Sequence, residues 1–125
     1  KNNIMFLGYI PYNVFLSVLD ISSVHVYLTY PFVLSWSMLE AMSLECLVLG
    51  SKTPPVEEII VNKKNGLLVD FFDTKSISSK IIDILDNPDS YKEIRKAARE
   101  TIVKKYDLKS VCMPKHIEMI EDLLK

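Results

Sequence analysis

The chain has 125 residues, of which 49% are hydrophobic and 25% are charged, and its formal net charge at pH 7 is −1. This length suits one domain with its own core and is too short for two. The nearly balanced charge leaves no basic surface for nucleic acid, and no apolar run reaches the ~20 residues that a transmembrane helix needs.

The two cysteines, Cys46 and Cys112, do not have the spacing of a metal or redox motif. We therefore expect free thiols in a reducing compartment, with a cytoplasmic location. Because the chain begins without a methionine and runs directly into an apolar stretch, we also expect it to be a piece of a longer protein.

The first quarter of the chain contains two short apolar runs separated by a helical pattern. Ile4–Gly8 is typical of a buried strand that is closed by glycine. Pro11 suits the first turn of a helix, and apolar residues at helical spacing continue to about Ile21. Val24–Leu28 is then predicted to be a second strand.

The central segment has the pattern of a strand, a loop, a helix and another strand. Ser37 and Glu40 have the S-x-x-E spacing of a capping box, which predicts a helix that begins near Ser37. Cys46–Gly50 is continuously apolar, as expected of a strand that is covered on both faces. A crossover of this kind builds a parallel sheet, so residues 29–37 and 51–58 should share the rim at the carboxyl ends of the strands.

The second half is predicted to contain one more strand, Leu67–Asp70, followed only by helices. Asn65-Gly66 is expected to supply the positive φ of the preceding turn. The three helices that follow should be capped by Asp73 or Thr74, by Asn87 and by Asp107, and Ile77, Ile81, Ile84 and Leu85 should form the inner face of the first. The fold class is therefore α/β, with a parallel sheet of about four strands, flanking helices and a helical C-terminal third.

Residues Pro31–Ile60 and Asn65–Phe71 carry a resemblance to a known family. They resemble the C-terminal donor-binding domain of the group 1 retaining glycosyltransferases, which consist of two Rossmann-like domains in the GT-B architecture. The tetrapeptide L-E-A-M at 39–42, E-I-I at 58–60 and N-G-L-L-V at 65–69 stand where that family has its motifs. The resemblance covers nearly the whole chain and implies a Rossmann-like fold.

The resemblance also implies a role for Glu40. In the family, the glutamate of L-E-A-M accepts hydrogen bonds from the ribose hydroxyls of a nucleotide-sugar donor, and the two oxygens of a carboxylate suit a vicinal diol. The alternative is that Glu40 only completes the capping box with Ser37, and both roles are compatible.

Three further elements would surround the donor. Backbone N–H groups before the central helix would contact the diphosphate and the sugar, the turn after Gly8 would frame the base, and one hydroxyl could replace donors that the prolines at 54 and 55 remove. The residues concerned are Val33, Leu34, Ser35, Ile10 and Thr53.

The sequence departs from the family pattern at three places. The acidic residue expected eight positions before Glu40 is Phe32 here, or Tyr30 if the loop carries an insertion. Glu45 occupies a position that is usually glycine, so we expect a different helix end. Pro54-Pro55 replaces a glycine-rich turn. The first departure leaves open which group handles the donor sugar.

A retaining transferase of this kind would use a nucleotide sugar and neither a metal nor a cofactor. Its diphosphate-neutralising Arg/Lys pair would lie upstream of Ile4, and its N-terminal acceptor-binding domain would lie outside these residues. We therefore expect the 125 residues alone to be inactive.

Two other classes of protein remain to be weighed. The altered loop is compatible with a degenerate, non-catalytic module that packs or forms a homodimer through an exposed sheet edge. A dinucleotide-dependent dehydrogenase is disfavoured, since the chain has three glycines and no G-x-G-x-x-G.

Overall fold

A computed structural model describes residues 3–30 and 33–125 of the chain. Within these residues, helices and short parallel strands alternate and the C-terminal third is helical, as the sequence predicts. The helices are α1 Tyr12–Ile21, α2 Trp36–Ser43, α3 Pro54–Glu57, α4 Thr74–Asp86, α5 Lys92–Tyr106 and α6 Met113–Leu123, and the strands are β1 His25–Tyr27, β2 Val48–Ser51 and β3 Leu67–Val69. None of the helices in this described part is long and apolar enough to cross a bilayer.

The three strands form one parallel sheet in the order β1-β2-β3. Every residue of the central strand β2 is buried, which confirms the expected strand with two covered faces. Leu47 and Leu49 point to one face, where they pack with Ile84 of α4. Cys46 and Val48 point to the other face, where they pack with residues of α2 and α5. The sheet is therefore doubly wound.

The predicted strand at Ile4–Gly8 is wrong. No residue from 3 to 8 is in a strand, and Phe6 is 93% exposed. A strand needs a neighbour to which its backbone can bond. Within the described residues β1 pairs only with β2, and the apolar run reaches neither free edge of the sheet. Its composition fits a strand, but residues 3–30 and 33–125 contain no strand with which it pairs.

At the end of α2, a residue other than glycine adopts the left-handed backbone conformation. The amide of Cys46 donates to the carbonyl of Ala41 at 2.9 Å, and that of Glu45 donates to Met42 at 3.2 Å. These are the two bonds of a Schellman motif, whose left-handed position normally holds glycine. Glu45 adopts it with φ +58°. The different helix end that we expected is therefore not found, and Glu45 bears the strain instead.

We expect Glu45→Gly to stabilise the fold by about 0.5 kcal/mol. It removes a left-handed penalty of about 1–2 kcal/mol, which the greater freedom of glycine in the unfolded chain and the loss of an exposed pair with Arg99 partly offset. Urea unfolding would measure the difference. Glu45→Ala is the matched control, because it loses the same pair and keeps the strain. A glycine variant less stable than the alanine variant would contradict the prediction.

The helices of the C-terminal half begin largely where the sequence places them. Asp73 caps α4 by accepting from the Ser76 amide at 2.9 Å, and Asp107 accepts from the Ser110 amide at 2.8 Å. Pro88 opens a 3₁₀ turn that leads into α5, and a π-helical turn follows Asp107. The inner face of α4 is narrower than predicted, since Leu85 is 54% exposed.

The turn before β3 is held together by Asn65. This side chain is buried, accepts from the Val61 amide at 2.7 Å, and donates to the Ile59 carbonyl at 2.9 Å and to the Thr101 hydroxyl of α5 at 3.1 Å. Contrary to expectation, the positive φ of the turn lies at Lys63 and not in Asn65-Gly66.

Gly66 is required for packing instead. A Cβ atom built on it would lie 2.9 Å from Cγ2 of Ile60 and 3.1 Å from Cδ1 of the same side chain. Ile60 also lies close to Gly50 of β2, where a Cβ atom would be 3.6 Å from its Cδ1. The isoleucine therefore fills a space that two glycines leave open, one within β2 and one directly before β3.

Candidate functional site

The carboxyl ends of β1 and β2 are joined by one side chain. The hydroxyl of Ser51 donates to the Thr29 carbonyl at 2.7 Å and accepts from the Thr29 amide at 3.0 Å. Ser51 is fully buried. The two strand exits therefore form one rim, as the crossover pattern predicts, and the loops that follow them begin from a fixed base.

The start of α2 is fixed to this rim by Tyr27, the last residue of β1. Its hydroxyl accepts from the Ser35 amide at 2.8 Å. Ser35 is the N-cap, and its hydroxyl accepts from the Ser37 amide at 3.3 Å. The helix therefore begins at Trp36, one residue earlier than Ser37.

The predicted capping box of Ser37 and Glu40 is therefore not formed. Because Ser35 caps the helix, the position that could reach back to the N-cap amide is Met38, and Glu40 stands two residues beyond it. Its Oε1 instead accepts a hydrogen bond of 2.6 Å from the hydroxyl of Tyr12, which lies 28 residues earlier. Tyr12 is the first residue of α1 and follows the turn that contains Ile10. This bond brings the predicted base-framing turn next to the predicted ribose ligand.

The other predicted site residues lie at different depths. Val33 is 73% exposed, whereas Leu34 is half-buried against the core cluster beneath α2. Thr53 is 6% exposed, at the N-terminal end of α3, and within the described residues its Oγ1 has no hydrogen-bond partner. No hydrogen bond in this part of the chain joins Thr53 to Glu40. Phe32 lies outside the described residues, so one candidate for the missing acidic position is not placed.

An apolar cavity that the sequence did not predict lies beside Glu40. It has a volume of about 390 Å³. One wall is a single face of α2 and the other comes from the end of α5 and the residues after it: Trp36, Leu39, Glu40, Ser43, Ile102, Tyr106, Leu108 and Cys112. Glu40 is its one acidic side chain. Trp36 is 80% exposed and lines the cavity, so it is not a core residue.

The two cysteines and the acidic residues offer little other chemistry. Cys46 and Cys112 are free thiols, and burial raises the pKa of Cys46. Among residues 3–30 and 33–125, no group of three or more histidine, cysteine, aspartate or glutamate side chains is arranged to hold a metal ion.

Tyr12 is the residue that sequence patterns missed. The helix start after Pro11 predicted where its backbone lies, but no local spacing connects it with Glu40. The contact arises because α1 packs on α2, and tertiary packing of this kind leaves no periodic signal in the sequence.

Comparison with known proteins places these observations in a family. A family model described as glycosyl transferases group 1 matches residues 1–101. A search of curated proteins finds no match.

Three solved structures share the fold. The C-terminal domain of a group 1 glycosyl transferase family protein from Francisella tularensis is 25% identical with a TM-score of 0.74, and the match covers 83% of this chain and 54% of that one. Sucrose-phosphate synthase from Thermosynechococcus elongatus is 21% identical with a TM-score of 0.83, over 96% and 30% of the two chains. A glycosyltransferase from Rickettsia africae is 21% identical with a TM-score of 0.68, over 80% and 27%. The chain thus spans about half the length of the first of these structures.

Proposed function

Since this chain belongs to the group 1 glycosyl transferases, we propose that it forms the donor-binding half of a retaining enzyme of that family. The enzyme moves a hexosyl group from a UDP-, GDP- or ADP-sugar to an acceptor hydroxyl. The acceptor-binding domain is a separate part of the complete protein. No metal is required, and a cytoplasmic location stays a prediction.

The observation that carries this proposal is the position of Glu40. Glu40 is the fifth of the eight residues of α2, a helix whose N-terminal end is fixed to the rim by Tyr27, and its carboxylate contacts Tyr12 of α1. An ionised carboxylate has two oxygens and about four acceptor sites. Tyr12 uses one site on Oε1, so enough remain for both hydroxyls of a ribose. Because Glu40 is not needed as a helix cap, a structural role as a capping residue no longer competes with this one.

In this proposal the diphosphate binds at the N-terminal end of α2. Amides at a helix start favour an anion through their free N–H groups and the helix dipole. We assign this role to Val33, Leu34 and Ser35. The Ser35 amide is engaged by Tyr27, so a phosphate that used it would displace the tyrosine hydroxyl.

Thr53 and Ile10 complete the proposed site. A buried hydroxyl without a partner costs about 1–3 kcal/mol of stability. An oxygen of the nucleotide sugar that accepted a hydrogen bond from Oγ1 of Thr53 would remove this cost. Ile10 is half-exposed and two residues from Tyr12, so it suits a role in framing the base. The homodimer through an exposed sheet edge finds no support in these comparisons.

We expect Glu40→Ala to weaken binding of the matching nucleoside diphosphate at least about tenfold, because it removes hydrogen bonds to a charged group. Backbone amides would be followed by NMR while UDP, GDP and ADP are titrated into the complete protein. Shifts should centre on Ile10, Val33–Ser35 and Glu40, and the nucleotide that produces them identifies the base.

The matched control is Glu93→Ala, which removes an exposed glutamate from the first turn of α5. It should leave the affinity unchanged. If Glu40→Ala binds as tightly as the unaltered protein, the carboxylate is not the ribose ligand. Sugar transfer by the 125 residues alone would contradict the proposal that a second domain is required.

A further inference from the structure

We propose that Tyr12 is a positioning residue of the donor site, whose hydroxyl holds the Glu40 carboxylate in the orientation that accepts both ribose hydroxyls. This inference rests on the proposed function of Glu40. It adds a residue from α1 to a site otherwise built from the rim and α2. It also gives the turn that contains Ile10 a direct connection to the ribose ligand.

Tyr12 itself is held in place from three sides. Pro11 precedes it with φ −57°, and the Phe15 amide donates to the Pro11 carbonyl at 3.0 Å, which fixes the first turn of α1. The ring of Tyr12 stacks on Phe15 with centroids 6.4 Å apart and an interplanar angle of 29°. Phe15 packs in turn against the core cluster. The backbone turn and the stacking therefore restrict where the hydroxyl can lie, although the side chain is 61% exposed.

A hydrogen-bond partner is useful to Glu40 because its side chain is only partly buried and packing alone does not hold it in one conformation. A glutamate side chain has several rotatable bonds, and ordering them on binding costs affinity. The hydrogen bond of 2.6 Å from Tyr12 orders the carboxylate before the ligand arrives. It occupies one lone pair and leaves Oε2 and the second lone pair of Oε1 to the ribose.

The tyrosine keeps the proton that this role requires. Its pKa is raised, first by the hydrogen bond to Glu40, then by burial and by the negative charge of that carboxylate. The hydroxyl is therefore a donor throughout the neutral range. Tyr12 donates and Glu40 accepts, so the direction of this bond matches the acceptor role that a diol requires of the carboxylate.

A bond between α1 and α2 could also serve only to join the two helices. The structural role and the positioning role predict different losses of affinity when the hydroxyl of Tyr12 is removed. Loss of a purely structural contact weakens all nucleotides alike. Loss of a positioning contact weakens only those whose ribose carries the hydroxyls that Glu40 accepts.

The test is Tyr12→Phe, which removes the hydroxyl and keeps the ring and its stacking on Phe15. Dissociation constants of UDP, GDP and ADP, each with its 2′,3′-dideoxy counterpart, would be measured by calorimetry on the complete protein. The unaltered protein should prefer one ribonucleotide over its dideoxy form. In Tyr12→Phe we expect this preference to fall about threefold or more, with the affinity for the dideoxy form unchanged.

The matched control is Tyr91→Phe. It removes another tyrosine hydroxyl that donates to a carboxylate, that of Asp83, on the α4 side of the sheet. This variant should keep the full ribose preference even if it unfolds more easily. If Tyr12→Phe keeps or increases the preference for the ribonucleotide over its dideoxy form, the positioning role of Tyr12 is wrong, whereas the proposed function of Glu40 is unaffected. If the unaltered protein shows no ribose preference with any base, the proposed function of Glu40 fails, and the positioning role fails with it.

Discussion

Replacing Asn65 by alanine should destabilise the fold by about 3–4 kcal/mol. The side chain is 5% exposed and makes three hydrogen bonds that join the turn before β3 to α5. Its removal leaves the Val61 amide and the Ile59 carbonyl without this partner, and each unsatisfied buried group costs about 1–3 kcal/mol. Urea unfolding followed by circular dichroism would measure the loss.

Asn62→Ala is the matched control from the same turn. Asn62 is exposed and makes a single hydrogen bond, accepting from the Leu68 amide at 3.0 Å. We expect it to cost about 1 kcal/mol, because water can replace the lost acceptor. Asn65→Asp should cost at least as much as Asn65→Ala, since a carboxylate cannot donate to Ile59 and its charge would be buried. Equal losses for Asn65→Ala and Asn62→Ala would show that the buried network contributes nothing.

Gly66→Val should cost about 3 kcal/mol, and Gly66→Ala somewhat less. A Cβ atom at this position lies only 2.9 Å from Cγ2 of Ile60, whose side chain is buried and closely packed. Overpacking of a filled core forces side chains off their rotamers or shifts the backbone, at a cost of about 1–3 kcal/mol. The thermal midpoint and the urea midpoint of each variant would be compared with those of the unaltered protein.

A double-mutant cycle with Ile60→Ala tests the cause of this loss. Ile60→Ala alone opens a cavity and should itself destabilise by about 2–5 kcal/mol. In that background Gly66→Val should cost much less, because the three atoms nearest to the added Cβ all belong to the Ile60 side chain. A full cost of Gly66→Val in the absence of Ile60 would mean that the backbone, and not this contact, requires glycine.

The fold could be predicted because its signals are local or periodic. The continuous apolar run at 46–50 predicted a strand covered on both faces, and β2 is buried along its whole length. Asp73 and Asp107 were recognised as helix caps because a cap satisfies amides two or three residues away. Such short-range requirements are visible in the sequence itself.

The predictions that are wrong concern features that depend on contacts between distant parts of the chain. Ile4–Gly8 has the composition of a strand, but a strand also needs a partner, and composition says nothing about partners. The spacing of Ser37 and Glu40 fits a capping box, yet Tyr27 fixes the helix start from another element and Ser35 becomes the cap. In each case a contact made across the fold decided the outcome.

The candidate site was predicted only in part. Glu40 and the start of α2 were selected by resemblance, and the structure brings Glu40 and the Ile10 turn together through Tyr12. Neither the contact of Tyr12 with Glu40 nor the cavity beside Glu40 could be predicted. The contact forms where α1 packs on α2, and the cavity forms where the end of α5 packs on α2. Thr53 was selected for its hydroxyl, and only the fold reveals that this hydroxyl is buried without a partner in the described residues.

Within the described residues one edge of β1 has no neighbouring strand, which has a practical consequence for handling these 125 residues. Val26 and Leu28 of this region are exposed, and so are the apolar side chains of residues 4–7. A free strand edge beside apolar surface is a template for aggregation. Preparations of this segment alone should bind hydrophobic dyes and form concentration-dependent aggregates, which lysine substitutions at Val26 and Leu28 should reduce. Light-scattering results on the segment would then describe this bare edge and not the assembly state of the complete protein.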